Sequence, residues 1–479
     1  MPDSAPVIVW FRQDLRLRDN PALTDAAGLG RPVIPLYILD ETADVRRPGA
    51  ASRWWLDKSL RALGKDIEAL GGRLILRRGP AARILAELVA ETGAEAVRWS
   101  RLYDAASVAR DVAIKAKLAK AGVECRSFNA ALLNEPWEVK TGAGGDYRVF
   151  TPYWRTARAP AGDRAPTGRP GKLRAPAGNT GSDPLASWSL HPTAPDWSKG
   201  FEDWAPGEAG AQRRLDGFLD DVACRYATGR DKPAVAGTSQ LSPHLHFGEI
   251  GPRQIWAAVQ GAAVRQQASH PQVETFLEEL GWREFNHHVF YHHPNLTGQN
   301  LDSAFDAFPW REDAEGLMAW RRGRTGFPIV DAGMRQLWAT GWMHNRVRMI
   351  AASFLVKDLM IDWRIGEAWF WDTLVDADLA NNVLNWQWVA GSGADAAPYF
   401  RVFNPTLQGR TFDPDGDYVR RWVPELAGLP GSVIHEPWRV PPEALAKAGV
   451  EPGVDYPIPI IDHVSARKRA LAAYRGLRS

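Results

Sequence analysis

The chain has 479 residues, enough for two or three domains with separate cores, and its 58 Lys and Arg nearly balance 56 Asp and Glu. A net charge of +2 means that any nucleic-acid surface has to be a local basic patch. Two cysteines, Cys125 and Cys224, exclude a disulfide framework and any four-thiolate zinc or iron–sulfur site, and without a long apolar run the expectation is a soluble, cytoplasmic protein.

In chain order, residues 1–130 alternate short β-branched runs with amphipathic stretches. Strands are expected at 7–11, 33–39, 73–77, 96–99 and 123–127, with helices at 52–70 and 81–92. This is the pattern of an α/β domain built on a doubly wound parallel sheet, which binds ligands at the carboxyl ends of its strands, here near Asp40-Glu41 or Ser100-Arg101. Neither GxGxxG nor GxxxxGK[ST] follows a strand, so the usual dinucleotide and triphosphate cradles are absent. Residues 131–205 read as an interdomain connection, and the Pro-, Gly- and Arg-rich part at 155–184 is expected to be an irregular, solvated linker.

From 206 to 479 the apolar period becomes helical, with clear stretches at 211–226, 272–288, 330–337 and 345–359 and a basic helix at 466–479, so a larger all-α domain is expected. Ten of the 22 tryptophans fall between 282 and 388. Such density suits base stacking or electron transfer, and equally a large aromatic core.

Four sequence features carry chemistry. In Thr238-Ser239-Gln240-Leu241-Ser242-Pro243, hydroxyl groups precede a proline suited to a first helical turn, which describes an anion cradle or an ordinary helix cap. His287, His288, His292 and His293 have metal-like spacing, yet no Cys or carboxylate completes a set, and no metal is expected. The run Asp376-Ala377-Asp378-Leu379-Ala380-Asn381-Asn382 needs distant cations, for which Arg348 is a candidate toward Asp376. The last is Trp386-Gln387-Trp388.

Together, WFRQDLRLRDNPAL at 10–23, TSQLSPHLHFGEI at 238–250, ELGWREF at 279–285, MHNRVRM at 343–349, DADLANN at 376–382 and WQWVAGSGADAAPYFRVFNPTLQG at 386–409 resemble the photolyase/cryptochrome family, and most of all its bacterial class III members. The resemblance implies an α/β antenna domain at 1–130 and a helical FAD- and lesion-binding domain at 206–479. It implies light-dependent repair of cyclobutane pyrimidine dimers in DNA, with a blue-light photoreceptor or (6-4) photoproduct repair as alternatives. Asn382 and Trp388 differ from the aspartate and tyrosine typical of plant cryptochromes, and no long tail follows the last motif; both favour repair. The lesion-site histidines of animal (6-4) enzymes are not evident, and two cysteines exclude the iron–sulfur type.

By motif position, the resemblance places Tyr226, Thr238, Ser239, Gln240, Leu241, Ser242 and Arg283 on the phosphate side of FAD, and Asn345, Arg348, Asp376 and Asp378 around its ring and ribose. Asn382 matches the residue facing flavin N5. Glu279 matches the carboxyl group on the dimer, Trp282, Trp388 and Met349 line the lesion pocket, and Arg346 and Arg401 flank it as phosphate contacts. Trp386, Trp363 and Trp310 match the electron relay that reduces the flavin. A second antenna chromophore is expected, methenyltetrahydrofolate before a deazaflavin. DNA is the expected partner of a monomer with no obligate protein partner and no membrane association.

Overall fold

The structure, a computed structural model, describes residues 5–42, 45–162, 164–265, 269–396 and 400–477. Ala397, Pro398 and Tyr399 of the motif at 386–409, the start of the chain and the last two residues of the basic C-terminal segment lie outside it.

Five strands, β1 Val7–Phe11, β2 Val33–Leu39, β3 Ile75–Arg78, β4 Ala96–Ser100 and β5 Glu124–Phe128, form a sheet of order β3-β2-β1-β4-β5 in which every pair is parallel. Helices α1 Pro21–Gly28, α2 Ala50–Ala69, α3 Ala81–Thr92 and α4 Ala105–Lys120 make the crossovers. Every residue of β1 is buried, as a strand covered on both faces requires. Ile84, Leu85 and Leu88 of α3 and Ile114 and Leu118 of α4 close over Ile8, Trp10, Ile34, Leu36, Val97 and Trp99. The Asn20 side chain accepts from Leu23 N–H with Pro21 in the first turn of α1, and Asp104 accepts from Ser107 N–H to start α4.

The sheet follows the sequence expectation, with small shifts. β3 begins at Ile75 because its pairing with β2 begins there, opposite Leu36, and β5 is one residue displaced because Glu124 pairs with Ala96.

The segment expected to be a linker differs more. Helix α5, Phe150–Ala161, occupies its first part, because Phe150, Tyr153, Trp154, Ala157 and Ala161 recur at helical spacing and are buried. The Pro-rich part that follows is irregular and largely exposed, as expected, but it is fastened along the sheet domain: Thr167 accepts from Asp19, Leu173 donates to Leu70, Arg174 accepts from Val33 and Asp183 donates to Leu76, all through the main chain at 2.8–3.0 Å. Proline and glycine exclude periodic structure here but leave single carbonyls and amides free to bond along the sheet domain.

Two helices expected to be continuous change pitch. Glu208–Gly217 passes into a wider π turn at Phe218–Val222, and Asn345–Ser353 does the same at Phe354–Asp358. The long helix His270–His292 matches the expected 272–288 stretch with extra turns.

By packing, one compact unit comprises 1–224, 239–294 and 375–378, and the other 225–238, 295–374 and 379–479. Much of the helical chain before residue 294 therefore belongs with the sheet. Among the described residues, no helix is long and apolar enough to cross a membrane.

Gly248 has φ +66°, and a Cβ there would collide with the Gln13 carbonyl. Leu15 N–H donates to the Phe247 carbonyl beside it at 3.1 Å, so the close approach joins two sequence motifs. Gly248→Ala combines left-handed strain with overpacking and is expected to destabilise the fold by about 3 kcal/mol. Urea unfolding measures this, and an unchanged midpoint would contradict the close approach.

Candidate functional site

In the first unit, the turn after β1 locks the strand ends together. Arg12 donates to both oxygens of Asp111 at 2.9 Å, and Asp14 accepts from Arg12 N–H at 2.7 Å and from Ser100 Oγ at 2.6 Å. Asp40 accepts from the Thr42 hydroxyl at 2.9 Å and faces Arg110 at 3.4 Å. Many of the polar groups at the carboxyl ends of β1, β2 and β4, where the sequence placed a ligand, thus bond to one another.

The same unit holds a partly buried polar cluster. Ser242 begins the short helix Ser242–His246, but its hydroxyl does not cap that helix; it donates to Asp376 Oδ2 at 2.6 Å. Asp378 lies 3.3 Å from His287 Nε2. Burial pushes the Asp378 carboxyl group up, yet His287, Arg283 and His246 together hold it well below the usual carboxylate range. His246 is pushed down by burial, against the pull of Asp378 and Asp376, and its Nδ1 is buried without a hydrogen-bond partner among the described residues. Gln240, beside the cluster in sequence, has a left-handed φ of +49° and accepts from Arg214.

Along the helix His270–His292, Glu279, Trp282, Arg283 and Asn286 form one stripe at i, i+3, i+4 and i+7. Phe150 of α5 stacks on Trp282 with centroids 3.8 Å apart and planes 10° from parallel. Packing therefore fixes the indole from one face, a support that sequence reasoning missed because it treated the whole of α5 as part of the interdomain connection. Arg283 donates to the Ala131 carbonyl at 2.9 Å and pairs with Glu284 at 3.1 Å.

The histidine run disperses instead of converging. His287 faces Asp378, His293 faces Asp146 at 3.0 Å, and His292 bonds to the Pro136 carbonyl. His288 donates from Nδ1 to the Pro136 carbonyl and accepts at Nε2 from Tyr147 N–H, both at 3.1 Å. Both contacts need the neutral ring, and burial, with His292 beside it, pushes His288 down to about 4.

The second unit holds the other candidates. The Asn382 amide nitrogen donates to the Glu367 carboxylate at 2.7 Å and to the Glu367 carbonyl at 3.1 Å. Arg348 donates to the Met343 carbonyl at 2.7 Å, and Arg346 pairs with Asp231 at 2.8 Å while lying over the Phe412 ring. Asn345 and Arg401 are exposed, Met349 is half-buried and Tyr226 is buried.

Gln387 donates to the Leu296 and Gln299 carbonyls and accepts from Leu301 N–H, all at 2.9 Å, so the residue between Trp386 and Trp388 pins their helix. Trp388 Nε1 donates to the Asp395 carbonyl at 3.1 Å. Trp386 is buried against Gly366, one turn along the helix that starts at Trp363, with Phe370 5.0 Å and Trp320 6.2 Å away between centroids. Trp363 is fully buried and donates to Asn300 at 3.0 Å, while half-buried Trp310 packs on Phe308 at 4.4 Å. The partners that sequence reading missed, Glu367, Asp231 and Asn300, carry no local signal, since each is distant in sequence from the group it holds.

A family model described as DNA photolyase matches residues 7–170, and another, described as the FAD binding domain of DNA photolyase, matches 276–476. Over 476 residues the chain is 54% identical to the deoxyribodipyrimidine photo-lyase of Agrobacterium fabrum, covering 99% of this chain and 98% of that one. It is 40% identical to Cryptochrome-1 of Arabidopsis thaliana over 96% of this chain and 69% of that protein. The crystal structure of a bacterial class III photolyase from Agrobacterium tumefaciens aligns with a TM-score of 0.97 at 53% identity, covering 100% of this chain and 98% of that one.

Two outcomes test the polar geometry. His288 is neutral when folded and titrates at its ordinary pKa when unfolded, so the unfolded state binds the extra proton as pH falls from 6.5 toward 4, and about 2–3 kcal/mol of stability is lost across that window. His288→Gln should remove this part of the acid sensitivity, read as a smaller change in melting temperature between pH 7.5 and 4.5. Asn382→Asp sets a second carboxyl group against Glu367, raising its pKa in the fold. That variant should lose about 2 kcal/mol at neutral pH and regain it toward pH 4, and a pH-independent difference from the parent protein would refute the contact.

Proposed function

The chain belongs to the photolyase/cryptochrome family, and on that premise we propose that it is a deoxyribodipyrimidine photo-lyase, which binds FAD and splits cyclobutane pyrimidine dimers in DNA under blue light. The observation that carries this reading is the end-to-end likeness to an enzyme of that name, in sequence and in fold.

The residues fit the cofactor. Asp376 and Asp378 supply acceptors for hydroxyl and N–H donors, the first buried and the second half-buried, His246 holds a buried ring nitrogen without a partner among the described residues, and Asn382 adds a neutral amide. We assign the phosphate side to Tyr226, Thr238, Ser239, Gln240, Leu241, Ser242 and Arg283, and the ring and ribose to Asn345, Arg348, Asp376, Asp378 and Asn382. When bound and reduced, FAD supplies under light the electron that opens the cyclobutane ring and takes it back afterwards.

The protein contributes position and charge. A dimer that already stacks and pairs poorly is cheap to extrude from the duplex. Trp282, held by Phe150, offers it a fixed aromatic surface, and Trp388 is steadied through its indole N–H. Met349 fills the pocket floor, and Glu279 hydrogen-bonds the dimer and stabilises the charge that develops on it. Arg401 and Arg346 contact the flanking phosphates, the latter in exchange for Asp231. Trp386, Trp363 and Trp310 are assigned to flavin reduction, a role supported by the seating of Trp386 on the helix that Trp363 begins. We assign a folate antenna to the α/β domain, with a deazaflavin as the alternative, and a cytoplasmic monomer as the working form.

The likeness to a plant cryptochrome favours one rival, a photoreceptor that photoreduces flavin without repairing DNA. Purified, flavin-reduced protein should restore intact thymines in a dimer-containing oligonucleotide under blue light, but not in the dark and not from a (6-4) lesion. Trp282→Ala should weaken lesion binding roughly 5- to 150-fold, the value of one stacking contact, and Glu279→Ala should lower the repair yield. Normal photoreduction with no repair of either lesion would replace this assignment with the photoreceptor.

A further inference from the structure

Lys357, within the second unit, is a lysine in an unusual place. It lies in the π turn Phe354–Asp358, its side chain is almost wholly buried, and burial pushes its ammonium group down to about 7. The adjacent carboxylate does not neutralise it by contact, because Asp358 is bound to His463 Nδ1 at 2.5 Å, with its carbonyl accepting from Arg469 at 2.8 Å. The Lys357 ammonium instead donates to the Arg401 carbonyl at 3.2 Å and sits 3.3 Å from the centre of the Phe400 ring.

Both contacts fall on one short stretch of chain. Other contacts hold that stretch too: Phe403 N–H donates to Ser353 Oγ at 3.4 Å, and Tyr474 stacks on Phe400 at 4.7 Å. Lys357, Phe400 and Arg401 line an open pocket together with Ser353, Trp388 and Phe403. An apolar side chain would fill this position without the desolvation cost of a buried ammonium, so stability alone does not account for the lysine. A cation held by one carbonyl and one aromatic face acts as a directional clamp on the residues that supply them.

We propose that Lys357 is a positioning residue for damaged DNA: by clamping Phe400 and Arg401 it sets the Arg401 side chain and the wall beside Trp388 in the arrangement that receives the strand. This rests on the reading of Arg401 as a phosphate contact.

Lys357→Met keeps the apolar stem and removes the charge and the donor. In the full-length holoprotein it should leave flavin content and photoreduction unchanged and should not lower the melting temperature. Affinity for a thymine-dimer oligonucleotide should fall about 5- to 10-fold, while the repair rate at saturating DNA holds. Hydrogen exchange should quicken in peptides spanning 400–404, and Lys357→Arg should recover most of the affinity. Arg401→Ala, made alone and together with Lys357→Met, completes a cycle in which the second substitution costs less than it does alone. Additive effects, or an unchanged affinity in Lys357→Met while Arg401→Ala weakens binding, overturn the clamp. An unchanged affinity in Arg401→Ala removes the phosphate contact and the clamp together, whereas the photo-lyase reading fails only if the parent protein repairs nothing.

Discussion

Arg16 has no exposed surface, and its guanidinium group is surrounded by main-chain carbonyls: Arg18 at 3.0 Å, Gly248 at 2.9 Å, Asp19 at 2.7 Å and Ala130 at 2.8 Å. One buried cation thereby fastens the turn after β1 to the chain leaving β5 and to the loop at Gly248. Nearby Asp19 pairs with Arg253 at 3.3 Å and accepts from Thr167 N–H at 3.1 Å, which extends the same fastening to the Pro-rich segment. Removing such a cation would leave several carbonyls buried without donors, so the contact specifies the local arrangement more than it adds net stability. The motifs at 10–23 and 238–250 stand far apart in sequence but describe the two sides of this attachment.

That is why the sheet domain was largely legible in the sequence. A run such as VIVWF can only be a strand buried on both faces, and Gly93, with φ +65°, ends α3 where the sequence expects an end. The helix at 150–161 and the main-chain bonds of the irregular stretch after it were not foreseen, because composition reports what a segment cannot form alone and is silent about what it can bond to. Phe150 and Trp154 become helical because the helix His270–His292 offers them aromatic surface and a glycine, Gly281, against which the Trp154 ring lies. The π turns at 218–222 and 354–358 were equally invisible, since one extra residue in a turn leaves the apolar period almost unchanged.

The site was legible as a set of residue types and far less as a set of pairs. Acids at 376 and 378 announced a need for partners, and the sequence suggested a remote arginine. Asp376 takes the Ser242 hydroxyl, and Asp378 is held ionised with His287, a residue whose neighbours in sequence had made it look like metal-binding material. A buried carboxylate takes the donor that the fold brings within reach, and proximity in three dimensions is absent from spacing along a chain.

Asn382 shows what such pairing can achieve. Its amide nitrogen faces two oxygens of Glu367, a carbonyl and a carboxylate, and neither can donate. The orientation of the amide is therefore fixed by chemistry: nitrogen toward Glu367, oxygen away from it. If flavin N5 lies where the resemblance puts it, the group presented there is a neutral acceptor whose direction is set by a residue that need not touch the cofactor. An aspartate at 382 would meet Glu367 as a second acid and lose that orienting bond. The choice of amide over acid is thus coupled to Glu367, and Asn382 owes its direction to a helix contact made fifteen positions earlier in the chain.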